Sequence, residues 1–331
     1  MTPDSPGPRR PTMADIARVA RVHPSTVSLA LHNQPCISAA TRDTIHRIAA
    51  ELNYRPDPLL AAFSSRRRSR GLSGRRRVIA FISDLADRAA LADSEPHREV
   101  LAGVEDQAGR LGLRVDVLFA CPGCLSPTRL AQVLRARGIG GVILGALSPR
   151  TRTLPLDCAG LCAVAVESTH LDPRLDTVAT NYREAARLAV QKLRESGHRR
   201  IVFALKPGMA QVIQQQLRAG YLVEHFNRPR IRPLPFWVDD GVWPGALTVW
   251  ARRFAPDALV CCGLAPPRDP IAKTVAVIDS RPSLSGPAGV PAVYRDLGRR
   301  AVDMLAIRQQ TNLTGLPEHV STTYLPVTWR D

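Results

Sequence analysis

Apolar residues between positions 12 and 52 recur every three or four residues, which is the spacing of one face of an α-helix. This pattern predicts three short helices. Their apolar stripes are Ile16, Ala17, Val19 and Ala20, then Val27, Ala30 and Leu31, and finally Ile45, Ile48, Ala49 and Leu52. Thr12 and Asp15 suit the start of the first helix, and Pro24 suits the first turn of the second. The third helix is predicted to begin near Ser38.

From residue 78 onward the pattern changes to short apolar runs that alternate with amphipathic segments. We predict strands at 78–83, 113–120, 141–145, 162–166, 200–205, 258–262 and 274–278, with an extended segment at 320–327. We predict helices at 98–112, 130–137, 182–196, 211–226 and 295–310. An alternation of strands and helices is typical of a parallel sheet covered by helices on its faces.

Positive charge is concentrated near the N-terminus. The 331-residue chain has a formal net charge of +16, and residues 1–77 alone hold 14 arginines against five acids. Such a block is typical of a nucleic-acid-binding module attached to a larger body. The length and the hydrophobic content of 45% favour a chain of more than one folded unit over a disordered one.

The second predicted helix leaves small or polar side chains on its outer side. They are Pro24, Ser25, Thr26, Ser28, Leu29 and His32. Short side chains allow a helix to approach DNA phosphates and base edges in the major groove. A three-helix bundle whose outer face is merely solvated would show the same pattern, so the periodicity alone leaves both interpretations open.

The N-terminal segment resembles the LacI/GalR family of bacterial repressors. The resemblance rests on residues 12–20, 22–28, 37–42 and 51–56, which follow the family pattern without a gap. It implies an all-α helix-turn-helix headpiece at 12–56. The Pro-rich residues 1–11 before it are predicted to form a disordered tail. The DNA-contacting residues that we predict from it are Thr12, His23, Pro24, Ser25, Thr26, Ser28, Leu29, His32, Ser38, Thr41, Tyr54, Leu60 and Phe63.

Two residues depart from the family pattern. Arg21 stands in the turn where the family usually has glycine, and His23 stands where serine usually caps the second helix. If the turn requires a positive φ, Arg21 carries backbone strain. Histidine is also a weaker helix cap than serine.

Residues 57–77 are predicted to form a hinge helix followed by a basic linker. In the family that the chain resembles, a short helix folds on the DNA and inserts an apolar side chain into the minor groove. That position falls on Phe63 here, and Leu60 lies on the same apolar segment. The alternative is an apolar linker that packs on the body. The arginines that follow are expected to attract phosphates.

The resemblance continues more weakly to the end of the chain. It implies an α/β periplasmic-binding-protein-like body of two Rossmann-like subdomains. Residues 78–172 and 292–314 are predicted to form the N-terminal subdomain, and residues 173–291 and 315–331 the C-terminal one. In open α/β sheets a ligand binds beyond the carboxyl ends of the strands, so a cleft between the subdomains is the expected effector site.

Three charged residues are candidate effector ligands. Glu167 and Asp279 each follow a predicted strand, at positions where the resemblance implies sugar-binding carboxylates. Arg218 lies one position away from the family's cleft arginine, whose own position is occupied by Leu217. A sugar, a different small metabolite, and a body that only dimerises all stay open as interpretations.

No catalytic set and no cofactor motif is recognisable, so we expect a protein that is not an enzyme. Cys121 and Cys124 form a CxxC pair with no second pair or nearby histidines, and we expect no metal there. A redox disulfide and a plain turn are both compatible with that pair. The buried environment of a core is expected for Cys158, Cys162, Cys261 and Cys262.

The sequence therefore predicts a transcriptional regulator, most simply a repressor that binds a palindromic DNA operator as a homodimer under the control of a small molecule. We see no signal peptide and no apolar stretch long enough for a membrane span, and expect a cytoplasmic location. The alternatives are a DNA-binding regulator without an effector and a small-molecule-binding protein without DNA specificity.

Overall fold

The computed structural model describes residues 11–31, 37–52, 54, 78–121, 125–148, 150–153, 156–226, 232–238, 245–267, 272–280 and 287–331. The chain divides into two compact units, one at residues 1–75 and the other at residues 76–331. The division lies close to the predicted boundary between linker and body. Each unit is described by itself below.

The first unit contains the three predicted helices: α1 (Met13–Ala20), α2 (Pro24–Leu31) and α3 (Ala39–Glu51). Their apolar stripes meet in one core. Its fully or nearly buried members are Ile16, Ala17, Val27, Ala30, Ile45, Ile48 and Ala49. Alanine occupies three of these seven positions, and its small side chain permits close approach of the helices. Val19, assigned to the stripe of α1 by its spacing, is exposed.

The larger unit contains two parallel sheets. In the first, the described strands are β1 (Val78–Ser83), β2 (Arg114–Phe119), β3 (Gly141–Ala146), β4 (Cys162–Val166), β5 (Thr177–Thr180) and β11 (Thr322–Leu325). Their spatial order is β11-β5-β4-β3-β1-β2. The central strands are buried on both faces, which explains why their sequences are continuous apolar runs.

Helices cover both faces of this first sheet. They are α4 (Arg88–Asp93), α5 (Glu95–Arg110), α6 (Pro127–Ala136) and α10 (Tyr294–Gln310). α5 and α10 pack side by side on one face, and α6 packs on the other. Helices α5 and α10 approach each other so closely at Gly298 that a Cβ there would lie 2.1 Å from the Val100 carbonyl oxygen.

The second sheet has the order β10-β9-β8-β6-β7. Its strands are β6 (Ile201–Leu205), β7 (Trp237–Val238), β8 (Ala258–Cys262), β9 (Thr274–Ser280) and β10 (Gly289–Pro291). Helices α7 (Tyr182–Glu195) and α8 (Gln211–Phe226) cover one face, and α9 (Gly245–Phe254) packs on the other. The fold is therefore the expected pair of helix-covered parallel sheets.

The sequence-based division between the subdomains is wrong at two strands. Residues 173–291 and 315–331 were assigned to the C-terminal subdomain, but β5 and β11 are hydrogen-bonded into the first sheet, where Thr177 pairs with Thr322. Pairing between such distant segments is set by tertiary contacts, and periodicity does not encode it. The chain returns to the second sheet only after β11, where Arg330 pairs with Gly289.

Several short elements had no counterpart in the predicted pattern. They are α4, β5, β7, α9 and β10. Four of them have between two and six residues, too few to show a clear period. The ten-residue α9 begins directly after a Pro- and Gly-rich stretch, which obscured its start.

Four cysteines lie in the core, where burial disfavours the reactive thiolate form. Cys158, Cys162, Cys261 and Cys262 are free and buried, as expected. Burial raises the pKa of the Cys158 thiol to about 11 and that of the Cys261 thiol to about 12. Cys121 is disulfide-bonded, and Cys124 lies outside the described residues. In the described part of the chain, no helix has the length and apolarity that a membrane crossing requires.

Candidate functional site

The turn between α1 and α2 determines where the second helix is presented. Arg21 ends α1 in the left-handed conformation, with φ 53° and ψ 41°. The Val22 N–H then donates to the Ala17 carbonyl at 3.0 Å, and the chain reverses into α2. The turn thus does require a positive φ, the condition under which the sequence analysis expected strain at Arg21, and glycine would occupy this position without strain.

The start of α1 is fixed by a side-chain cap. The Asp15 carboxylate accepts from the Thr12 N–H at 2.8 Å and from the Thr12 hydroxyl at 2.7 Å. The same carboxylate pairs with Arg18 at 2.7 Å. Thr12 was predicted to contact DNA, and its hydroxyl hydrogen is committed to Asp15, so Thr12 Oγ1 has only lone pairs to offer a further partner.

The residues predicted to lie on the outer side of α2 differ in their exposure. Val27 and Ala30 are fully buried against the neighbouring helices. Pro24 and Ser25 are exposed, whereas Thr26, Ser28 and Leu29 are half-buried. The first turn of α2 is therefore the most accessible part of the helix. Short side chains at the start of a helix permit its close approach to a DNA groove.

The cap of α2 is unusual because a histidine supplies it. His23 Nδ1 accepts from the Ser25 backbone N–H at 3.2 Å. The same nitrogen lies 2.7 Å from Ser25 Oγ. His23 thus satisfies one of the unpaired N–H groups at the start of the helix, which is the task of an N-cap residue.

The remaining predicted DNA-contacting residues fall into three groups. Ser38 caps α3, where its Oγ accepts from the Thr41 N–H at 3.3 Å, and the two hydroxyls lie 2.8 Å apart. Tyr54 is half-buried and packs against the core of the bundle. His32, Leu60 and Phe63 lie outside the described residues.

In the body, a cleft of about 720 Å³ lies between the two sheets. Leu147, Glu167, Lys206 and Gly263 line it, and each directly follows the carboxyl end of a strand, from β3, β4, β6 and β8 respectively. The cleft therefore lies where open parallel sheets bind small molecules. Its lining combines apolar contacts with several groups that can form hydrogen bonds.

Glu167 lines the cleft as the sequence predicted, but its carboxylate has a structural partner. Glu167 Oε1 accepts from the Thr180 N–H at 2.8 Å and from the Thr180 hydroxyl at 2.5 Å. The residue also has a positive φ of 55°. These bonds hold the Glu167 side chain at the carboxyl ends of the neighbouring strands β4 and β5.

Arg218 is not in the cleft. Its guanidinium carbon lies 5.7 Å from the centroid of the Phe236 ring, and the side chain is exposed on α8. The sequence placed it one position from the family's cleft arginine, and one position on a helix turns a side chain by about 100°. The side chain of Asp279 lies outside the described part of the chain, so its effector role stays a prediction.

Sequence reasoning missed several polar residues that line the cleft. They include His170, Tyr182, Lys206 and Tyr294. Lys206 could have been found, because it is one of only three lysines in the chain and directly follows a predicted strand. The two tyrosines lie at the first turns of α7 and α10, and only the tertiary fold brings those helix starts together.

The chain is similar to known bacterial regulatory proteins. Residues 12–57 match the family described as bacterial regulatory proteins, lacI family. An uncharacterized HTH-type transcriptional regulator of Streptomyces limosus is 29% identical over 212 residues, which are 62% of this chain and 55% of that protein. The ribose operon repressor of Haemophilus influenzae is 24% identical over 258 residues, covering 76% and 73% of the two chains. The chain thus spans little more than half of the Streptomyces relative.

A solved structure of the lac repressor dimer bound to operator and the anti-inducer ONPF has a TM-score of 0.52 at 20% identity, and covers 98% of both chains. At 20% identity, this likeness shows a similar fold over almost the whole chain. The match to the lacI family covers the N-terminal helices, residues 12–57 of the 331-residue chain.

Proposed function

We propose that this protein is a sequence-specific transcriptional repressor that binds a palindromic DNA operator as a homodimer. The observation that carries the proposal is the geometry of α2. Its first turn is exposed, capped and held on a three-helix core by a helix-turn-helix turn, inside the segment that matches the lacI family. A helix presented in this way can insert its N-terminal residues into the major groove.

Both the charge of the chain and the relatives support this proposal. The excess of arginine in residues 1–77 supplies the attraction to phosphates that DNA binding requires. One relative is a ribose operon repressor, and the similar solved structure is a dimer on its operator. A dimer presents two copies of α2, and a palindromic site matches its two-fold symmetry. The hinge at residues 57–77, with Leu60 and Phe63, stays part of the proposal. A repressor needs access to chromosomal DNA, so a cytoplasmic location is part of the proposal.

We further infer that a small molecule in the inter-sheet cleft modulates DNA binding. The cleft is lined by residues from both sheets, so a bound molecule would favour one relative arrangement of the sheets over another. Its volume suits a metabolite. Glu167 and Asp279 are the proposed acidic contacts. Tyr182, Lys206 and Tyr294 add hydroxyl and ammonium donors that a polar ligand would need.

The proposed function is tested by selecting binding sites from a random duplex pool with the full chain at about 0.15 M salt, where nonspecific phosphate binding is weakened. We expect one palindromic motif. The matched control is Ala30→Glu, which places an unpaired charge in the fully buried core of the bundle and should abolish selection while the body stays folded. Equal enrichment of unrelated sequences by the unmodified chain would contradict the proposal.

The effector proposal is tested with the selected site and a mixture of pentoses, hexoses and disaccharides. We expect the mixture to change the dissociation constant of the full chain for DNA. Ala210 lines the cleft, and Ala210→Trp fills part of it, so this variant should bind DNA but lose the response. No response would exclude these sugars and leave a different metabolite or a regulator without an effector. A response retained in Ala210→Trp would place the effector elsewhere.

A further inference from the structure

The cap of α2 involves the hydroxyl of an exposed residue on the proposed DNA-contacting surface. Because the Ser25 backbone N–H is directed at His23 Nδ1, this ring nitrogen accepts and carries no hydrogen. The bond of 2.7 Å between Nδ1 and Ser25 Oγ then requires the hydrogen of the hydroxyl. We assign the tautomer with hydrogen on Nε2, in which the Ser25 O–H and N–H both donate to the single Nδ1 lone pair.

This bond changes what Ser25 can offer to an outside partner. A free serine hydroxyl both donates and accepts, and rotates to suit its neighbour. Since the Ser25 hydrogen is held by His23, the exposed Oγ has only lone pairs left for a further bond. In the major groove, the hydrogen-bond donors are the exocyclic amines of adenine and cytosine, whereas guanine and thymine present acceptors at the corresponding positions.

We propose that His23 is a positioning residue for specificity, which makes Ser25 a hydrogen-bond acceptor that selects adenine or cytosine on the contacted strand. The inference rests on the proposed function, because it states how that function reads one base. It assigns His23 two tasks at once. One is the cap of the helix, and the other is the orientation of a base-reading hydroxyl two residues further along the chain.

Two substitutions of His23 have opposite consequences for Ser25. A serine at position 23 can cap the helix through Oγ, but that oxygen also donates, so it does not commit the Ser25 hydrogen. An aspartate at position 23 caps well and only accepts, as Nδ1 does in the native chain. His23→Ser should therefore release the hydroxyl of Ser25, and His23→Asp should keep it oriented.

The experiment measures dissociation constants of the full chain for its selected site with each of the four base pairs at every position of the half-site. It uses the native chain, Ser25→Ala, His23→Ser and His23→Asp. We expect one position where the native chain prefers adenine or cytosine over guanine or thymine by about tenfold. Ser25→Ala and His23→Ser should reduce that ratio severalfold, and His23→Asp should retain it. The added charge of His23→Asp weakens binding to all sequences alike, so the ratio is unaffected.

The inference is overturned if the Ser25-dependent position prefers guanine or thymine, if no position depends on Ser25, or if His23→Ser retains the native ratio. Hydrogen exchange of residues 24–31 in each variant separates loss of the helix from loss of selectivity. Ser25→Thr is the conservative rescue, because its hydroxyl can make the same bond to His23. If the native chain selects no sequence at all, the proposed function fails first, and that outcome is distinct from a selected site that ignores Ser25.

Discussion

The helical bundle and the α/β body differ in the distance over which their structures are determined. In the bundle, the hydrogen bonds that fix the helix starts join residues two or three positions apart: Thr12 with Asp15, His23 with Ser25, and Ser38 with Thr41. In the body, Asp176 bonds Arg308 and Ser321, which are 132 and 145 positions away. The bundle is thus determined by local chemistry, and the body by long-range contacts.

Unfolding of the two units can be measured separately. The four tryptophans lie at positions 237, 243, 250 and 329, all within the second unit. Tryptophan fluorescence therefore reports unfolding of the body alone. Hydrogen exchange of residues 13–51 reports opening of the bundle. The two measurements together test whether a substitution acts on one unit or on both.

The largest effect is expected for Asp176→Ala. The Asp176 carboxylate accepts from Arg308 at 2.5 Å and from the N–H and hydroxyl of Ser321 at 2.9 Å each. The side chains of Asp176 and Arg308 are 14% and 8% exposed, so removal of the carboxylate leaves a buried cation without its partner. We expect the free energy of unfolding of the body to fall by about 3–5 kcal/mol, measured by urea denaturation with tryptophan fluorescence.

The control for Asp176→Ala is Glu195→Ala. Glu195 pairs with Lys192 on the surface, where its side chain is 65% exposed, so its loss should change the unfolding free energy by less than about 1 kcal/mol. Exchange in residues 13–51 should be unchanged in both variants. Faster exchange of the bundle in Asp176→Ala would break the comparison, because it would show that long-range contacts of the body also stabilise the headpiece.

Next in size is Gly298→Ala, at the contact of α5 with α10. A Cβ at this position would lie 2.1 Å from the Val100 carbonyl and 2.8 Å from the Val104 nitrogen, so the helices must move apart. We expect a loss of about 1–3 kcal/mol in the same denaturation experiment. Gly109→Ala on α5 is the matched control, since nothing lies within 4 Å of its Cβ. That variant should gain about 0.5–1 kcal/mol from helix propensity, and a loss there would contradict the steric explanation.

The same difference explains how much could be predicted from the sequence. The three helices of the bundle and the cap at Ser38 follow from neighbours along the chain, and the structure confirms them. The sequence named the strain that Arg21 would carry if the turn required a positive φ, and the turn has that conformation. In the body, the long strands and helices were found because each carries its own apolar pattern. The position of β5 and β11 in the first sheet was not predicted, because these two paired strands lie more than a hundred residues apart in the chain.

Only some of the residues that line the cleft could be predicted from the sequence. Glu167 was found because it directly follows a strand, and Lys206 follows another strand in the same way. Tyr182 and Tyr294 enter the cleft from the starts of two helices, and only the packing of the two sheets brings them together. The bond between His23 and Ser25 was also missed, although both residues were candidates, because it depends on which ring nitrogen faces the helix.

A smaller effect, of opposite sign, is expected in the bundle. Arg21→Gly removes a non-glycine residue from the left-handed region and should stabilise the bundle by about 0.5–1 kcal/mol after the entropy cost of glycine. Slower hydrogen exchange of residues 13–31 would show the gain, with no change in tryptophan fluorescence midpoints. Arg21→Ala keeps the strain and removes only the charge, so it should give no gain. Equal stabilisation by both variants would attribute the effect to charge.

The smallest expected effect is a dependence of body stability on pH through His225. The side chain is 5% exposed, and it contacts the Tyr221 ring with centroids 4.2 Å apart. Burial lowers the pKa of His225 from its ordinary value of 6.5, and the nearby Arg194 lowers it further. Its Nδ1 donates to the Tyr221 carbonyl at 2.9 Å, which fixes the tautomer of the neutral ring. That bond and the nearby Glu224 raise the pKa, but burial is the largest cause and the pKa stays lowered.

The sign follows from proton binding. Above pH 6.5 His225 is neutral in both states, and its contribution to stability is complete. As the pH falls below 6.5, the unfolded chain takes up a proton before the folded one, so the free energy of unfolding decreases until the lowered pKa of the folded state is passed. His225→Phe keeps the ring and removes the titration, and should flatten this part of the profile in tryptophan-detected denaturation. His319→Gln, at an exposed position, is the control for the loss of a histidine as such. An unchanged slope in His225→Phe would mean that other groups cause the acid sensitivity of the body.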